Sequence, residues 1–195
     1  MENKKIKLGI THGDINGIGY EVIIKTLIDN RILDICTPIV YGSPKVAAYH
    51  RKALDIDNFS FNNIKTADDA HDKRPNIINC SDENIRVELG KSSSMAGQAS
   101  YQALKTAVRD LQENKIDALV TAPINKHNIQ SSDFKYSGHT EYFQSAFNAE
   151  EVLMLLASPL MKVGVVAGHI PIKSLTEYIT QKRVFNKIKV LHKSL

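Results

Sequence analysis

The feature that most restricts the fold is an alternation of two hydrophobic periods along the chain. Short apolar runs of strand length give way repeatedly to segments whose apolar residues recur with helical spacing. Lys5–Ile10 (KIKLGI) alternates and then turns apolar, as a first core strand does. Thr11–Gly19 (THGDINGIG) is a glycine-spaced turn, and Glu21–Leu27 (EVIIKTL) resumes with helical spacing. Pro38–Tyr41 (PIVY) is a second strand, ended by Gly42. Ser43 then stands where it can cap a helix over Pro44–Leu54 with proline at its first position. Asn76–Asn79 (NIIN) and Ala118–Thr121 (ALVT) read as further strands, the second of them buried. The long helix after the Ser92–Gly97 loop sets Ala99, Ala103, Ala107 and Leu111 on one face. Strands that alternate with helices in this way predict an α/β fold with a largely parallel sheet and flanking helices.

The remaining segments are read in the same terms. Asp55–Pro75 is polar, rich in Asn and Asp, and reads as a variable excursion. A helix is predicted over Thr140–Phe147, with Thr140 as its N-cap. Val152–Ala157 (VLMLLA) and Val163–Ala167 (VGVVA) are continuous apolar runs, which predict strands buried on both faces. Val184, Ile188, Leu191 and Leu195 keep one apolar face up to the last residue. No glycine cap or polar tail follows them, so the chain reads as truncated inside a longer protein.

Composition excludes several function classes. Hydrophobic residues are 43% and charged residues 24% of the 195, an ordinary globular balance. The net charge is only +4. The densest basic run (Lys182, Arg183, Lys187, Lys189, Lys193) lies on a helical pattern and reads as a solvated face, so no nucleic-acid partner is expected. Cys36 and Cys80 stand far apart without a C-x-x-C, which argues against a disulfide framework and reads as two small buried hydrophobes. The charged N-terminus has no apolar core of a signal peptide behind it, and no run approaches membrane-spanning length. A cytoplasmic protein with no membrane partner is expected.

In a parallel α/β sheet, ligands bind outside the carboxyl ends of the strands, and four loops have that position. Thr11–Gly19 offers glycines for close backbone approach and a helix start for an anion, or it is a tight strand-to-helix turn. It lacks both the dinucleotide-binding glycine fingerprint and the phosphate-loop lysine. In Thr121–Lys126 (TAPINK), Lys126 is a point charge for a phosphate or carboxylate, or an exposed loop lysine. In Ser137–Glu141, His139 and Thr140 stand at a helix start and form a small anion-binding constellation. His169 follows an apolar strand within Gly168–Pro171. It is a metal-ligand candidate, although one histidine on local grounds reads more readily as structural. His50, His71, His127 and His192 lie in polar or helical-surface contexts and are given no catalytic role.

Together these stretches resemble the 4-hydroxythreonine-4-phosphate dehydrogenase family of vitamin B6 biosynthesis. The matching runs are Gly13–Glu21 (GDINGIGYE), Thr121–Lys126 (TAPINK), Gly138–Phe143 (GHTEYF) and Ala167–Pro171 (AGHIP), in that order along the whole chain. Two positions depart from the family pattern: Tyr20 stands in place of a proline, and His12 in place of another residue. The resemblance implies a two-lobed fold like that of isocitrate and isopropylmalate dehydrogenases, with residues 1–195 as its N-terminal portion. It implies NAD or NADP as cofactor, a divalent metal (Zn, Mg or Co), a small phosphorylated substrate, and a homodimer with a shared active site. It makes His139, Thr140 and Lys126 substrate-binding residues and His169 one of three histidine ligands to the metal. The other two histidines lie further along a family chain.

Overall fold

In the computed structural model, residues 5–81 and 84–194 are described. Leu195 of the last apolar face lies outside them, as do residues 1–4 and 82–83. The chain divides into two compact units, Met1–Ser137 and Gly138–Leu195.

The first unit is built on β1 (Ile6–Thr11), α1 (Gly19–Leu27), α2 (Arg31–Ile35), β2 (Cys36–Gly42), α3 (Pro44–Ala53), β3 (Asn62–Ile64), β4 (Asn76–Asn79), α4 (Ser94–Gln112) and β5 (Ala118–Thr121). The five strands form one parallel sheet in the order β3-β4-β2-β1-β5, as the alternation of periods predicts. Every residue of β2 is buried, because helices cover both faces of a central parallel strand. One core cluster joins α1, α3 and the start of α4 to the sheet through Ile10, Ile24, Val40, Val46 and Ala99. A second packs α4 on the sheet through Ile39, Tyr41, Ile78, Ala103, Ala107 and Ile116. Capping at Ser43 is as expected: its hydroxyl accepts from Val46 N at 3.4 Å. Ser93 caps α4 in the same way. Gly97 is fixed by close approach, since a Cβ there would run into the backbone carbonyl of Asn128.

Three expectations need correction here. β5 is an edge strand, not a buried one. Its residues alternate between exposed and half-buried, and Val120 is 48% exposed. Asp55–Pro75 is more than a variable excursion. It contains β3, a capped turn at Ala67–Asp69 and the buried Phe59, which no hydrophobic period announces. His50 is not on a helix surface. It is a core residue, 4% exposed, with Nε2 2.8 Å from the Ile15 carbonyl oxygen. Cys36 is buried, Cys80 is half-buried, and both are free thiols.

The second unit contains α5 (His139–Ala146), β6 (Met154–Ala157), β7 (Lys162–Val165), α6 (Leu175–Tyr178) and α7 (Gln181–Ser194). β6 and β7 pair antiparallel through the short turn at Ser158–Met161, where the Ser158 hydroxyl accepts from Leu160 N and Met161 N. The two apolar runs are therefore a hairpin, and they are not buried on both faces. Met154, Leu156 and Val163 remain about half exposed. A connection of four residues forces antiparallel pairing, since a parallel pair needs a crossover of a dozen or more. The apolar face of the last helix is likewise unburied, with Ile188 57% exposed. Its basic residues are surface groups, apart from Lys187, whose ammonium holds Glu151 at 2.7 Å, and Arg183, whose guanidinium donates to Tyr178 O at 2.8 Å.

Candidate functional site

At the carboxyl ends of β1 and β5 the first unit forms a cleft of about 440 Å³, lined among others by Asp14, Asn16, Gly17, Lys91, Ser92 and Asn125. The chain folds this way because the loop after β1 is short, polar and pinned from below. Gly13 takes φ +71°, and the Ser100 hydroxyl of α4 donates to its carbonyl at 2.6 Å. Asp14 N donates to Pro123 O at 2.9 Å, which ties the loop after β1 to the loop after β5.

Asn16 is the hub of the cleft. Its backbone N–H donates to Asp14 Oδ1 at 2.8 Å. Its side-chain amide donates to Lys91 O at 2.8 Å and to Ser93 Oγ at 3.3 Å, and its Oδ1 accepts from Glu88 N at 2.8 Å. A third wall is thus supplied by residues 88–93. Asp14 Oδ2 accepts from Asn128 Nδ2 at 2.9 Å, and Asn125 Oδ1 accepts from His127 N. The Asp and Asn of this loop serve as internal braces. What the cleft offers a ligand is glycine backbone, the start of α1, which has no side-chain cap, and the Lys91 and Ser92 rim. An anion at the start of α1 meets competition from Glu21 in the first turn, which already complements the helix dipole.

Beneath the cleft lies a buried three-ring stack. The Tyr20 ring stands 5.3 Å from His12 on one side and 5.2 Å from His50 on the other. Its hydroxyl accepts from Ser43 N at 2.7 Å and donates to Ser43 O at 3.2 Å, so α1 grips the cap of α3. Burial pushes this hydroxyl's pKa upward and keeps it protonated. His12 is fully buried, and neither ring nitrogen makes a hydrogen bond among the described residues. Loss of solvation lowers its pKa to about 4, and the backbone of Ala99 and Gly13 offsets this only in part. His12 and Tyr20 therefore stack on each other inside the core. Tyr20→Phe is expected to cost about 1–3 kcal/mol, because it leaves the buried Ser43 N–H without its acceptor. Urea unfolding checks this, and an unchanged midpoint would mean that water replaces the hydroxyl.

The residues expected to form the site fall in both units. Lys126, in the first, is exposed just past Asn125 and does not line the cleft. The other three belong to the second. α5 begins at His139, with Gly138 at the cap position and no side-chain cap, so Thr140 is an exposed second residue of the helix and not its N-cap. The His139 ring is half-buried and stacks on Phe143 one turn on, at 6.0 Å. His169 is exposed and takes φ +56°, a left-handed backbone conformation. Among the described residues no three His, Cys, Asp or Glu side chains converge. His169 belongs to no such group among them. Asp14, Asn16 and Asn125 lie in two of the loops expected to bind a ligand but were not singled out there, and residues 88–93 were missed by sequence reasoning. Asp14 and Asn16 stand beside glycines, a turn signal that could have found them, whereas Asn125 has no glycine neighbour. Nothing in the run Glu88–Ser93 marks it as a wall.

A parallel α/β sheet with glycine-rich and polar loops gathered at its carboxyl edge defines a small-ligand-binding fold of the kind used by cofactor-dependent enzymes. The chain belongs to the family of pyridoxal phosphate biosynthetic protein PdxA, whose model matches residues 34–195. It is 48% identical to a 4-hydroxythreonine-4-phosphate dehydrogenase of Bacteroides thetaiotaomicron, over all of this chain and 54% of that protein. It is 35% identical to a protein of Oceanobacillus iheyensis named, provisionally, as a D-threonate 4-phosphate dehydrogenase, over 99% of this chain and 59% of that one. The crystal structure of a 4-hydroxythreonine-4-phosphate dehydrogenase from Burkholderia phymatum superposes with a TM-score of 0.84 at 31% identity. That match covers 96% of this chain and 57% of the other. The chain spans a little over half the length of the relatives it matches. No helix among the described residues is long and apolar enough to cross a membrane.

Proposed function

We propose that this chain is part of a metal- and NAD(P)-dependent dehydrogenase that oxidises 4-phosphooxy-L-threonine to a 2-amino-3-oxo acid, which loses CO₂ to give 3-amino-2-oxopropyl phosphate. The observation that carries this reading is the 48% identity to a 4-hydroxythreonine-4-phosphate dehydrogenase along the whole chain. A bound nicotinamide would supply the hydride acceptor, and a bound divalent cation would supply the charge that acidifies the substrate hydroxyl. His139 and Thr140 contact the substrate from the start of α5, where helix N–H groups favour anionic groups. Lys126 supplies a positive charge to the phosphate or carboxylate. His169 gives one ligand to the cation, and the others come from residues outside this chain. The enzyme works as a homodimer with a shared site.

The test uses the protein at the full length its gene encodes. NADH or NADPH is expected to form from 4-phosphooxy-L-threonine, to stop in excess chelator and to return with Zn, Mg or Co. Activity that survives the chelator would sink the metal requirement. His169→Ala is expected to lower bound metal and rate together by more than about tenfold. Unchanged metal content would return His169 to a structural role. A second reading, D-threonate 4-phosphate as substrate, is favoured by the Oceanobacillus relative. The two compounds differ by a hydroxyl in place of the amino group, so assaying both side by side decides between them.

A further inference from the structure

A second cleft lies on the first unit, walled by α3 and residues 85–87. Its volume is about 560 Å³, within the range of small-molecule sites. Lys45, Tyr49 and Lys52 recur at helical spacing along α3 and so share one face. Opposite them, Ile85 and Val87 are half-buried and pack on the core cluster, while Arg86 between them is exposed. The Tyr49 ring is braced edge-on against the buried His50 at 5.8 Å, yet 45% of the residue stays exposed. Among the described residues that line it, three are cationic and none is acidic. An apolar floor, an exposed aromatic ring held in place and three cations at the rim describe one kind of ligand.

We propose that this cleft binds a planar aromatic ring that carries a phosphate ester. The ring lies on Tyr49 over Ile85 and Val87, where stacking and apolar burial act together. The phosphate is held by Lys45, Lys52 and Arg86 through charge-assisted hydrogen bonds. The residues are distinct from Asp14, Asn16 and Asn125 of the strand-end cleft, and the proposal stands whichever dehydrogenase substrate is correct. Two ligand sources share this chemistry: a phosphorylated pyridine and a nucleoside monophosphate.

The test titrates the protein at the full length its gene encodes with pyridoxine 5′-phosphate, AMP, inorganic phosphate and pyridoxine, followed by calorimetry and backbone amide shifts. Pyridoxine phosphate is used because it has no aldehyde to react with lysines at large. At least one ring phosphate is expected to saturate a single site and to shift amides of residues 45–52 and 85–87. Inorganic phosphate and unphosphorylated pyridoxine should bind far more weakly. Lys52→Glu and Arg86→Glu should each weaken the ring phosphate about tenfold, the size expected for one lost charged hydrogen bond, and Lys105→Glu on α4 should not. Preference for pyridoxine phosphate assigns the pyridine source, and preference for AMP the nucleotide source. The proposal is overturned if neither ring phosphate outbinds inorganic phosphate. It is equally overturned if the charge reversals leave affinity intact, or if the shifts fall at Gly13–Asn16 instead.

Discussion

Alanine at position 13 is expected to cost about 3 kcal/mol or more of folding stability, from two causes that add. Gly13 takes φ +71°, where an L side chain costs about 1–2 kcal/mol. A Cβ there would also lie 2.9 Å from the Ala122 carbonyl carbon and closer still to Pro123 O. Both are backbone atoms of the loop after β5, and they cannot rotate away as a side chain does. Overpacking of this kind adds about 1–3 kcal/mol. Gly17→Ala in the same loop is the control, because its Cβ would meet only Asp14, at 3.4 Å or beyond. Denaturant midpoints of the two variants give the comparison. Equal losses would mean that the loop yields as a whole and that Asp14 N is not rigidly tied to Pro123 O.

Acid is expected to unfold the first unit before its surface carboxylates are neutralised. His12 titrates near 6.5 when unfolded and at about 4 when folded, since burial penalises its cation. The unfolded chain therefore binds the proton more tightly, so stability is complete above pH 6.5 and is lost as pH falls toward 4. The full difference corresponds to about 3 kcal/mol. His50 is shifted in the same direction by burial and adds to the loss. Asp69 and Glu113 are held below the usual carboxylate range by Thr66 and Lys115, so their losses come at lower pH. His12→Phe keeps a flat ring beside Tyr20 and removes the titration. Its unfolding midpoint should depend much less on pH between 6.5 and 4. A slope equal to that of the parent chain would assign the acid sensitivity elsewhere.

The sheet of the first unit was legible except for β3, because β1, β2, β4 and β5 each carry an apolar run and the helices between them carry another period. Position within the sheet was not. Ala118–Thr121 is as apolar as a central strand, and only the strand order makes it an edge. The hairpin misled for a related reason. Leu155, Leu156 and Val163 are patterned for burial, and sequence pattern records burial without saying what supplies it. Motifs single out Lys126, His139, Thr140 and His169 as candidates, but Lys126 does not line the strand-end cleft and the other three belong to the second unit. The braces around Asn16 could not be named from motifs, because Lys91 and Ser93 reach it through contacts far apart in sequence. His50 looked like a surface residue because its helix is polar overall. Its burial comes from the aromatic neighbours Tyr20 and Tyr49.

The strand order also sets a timetable. β1 leaves the ribosome before the other four strands of its sheet, and its edge opposite β2 stays open until Ala118 arrives to pair with Leu8. More than half the chain must be synthesised before that edge closes, and closure over so long a loop is entropically slow. The β6–β7 hairpin spans only a dozen residues and pairs on the microsecond scale of local structure. The hairpin, made after the sheet, is thus quick to form, and β1, made before its partner β5, waits with a bare edge. An open strand edge is a template for pairing with another chain. For this protein the hazard of misassembly is concentrated in the interval between the emergence of β1 and that of β5.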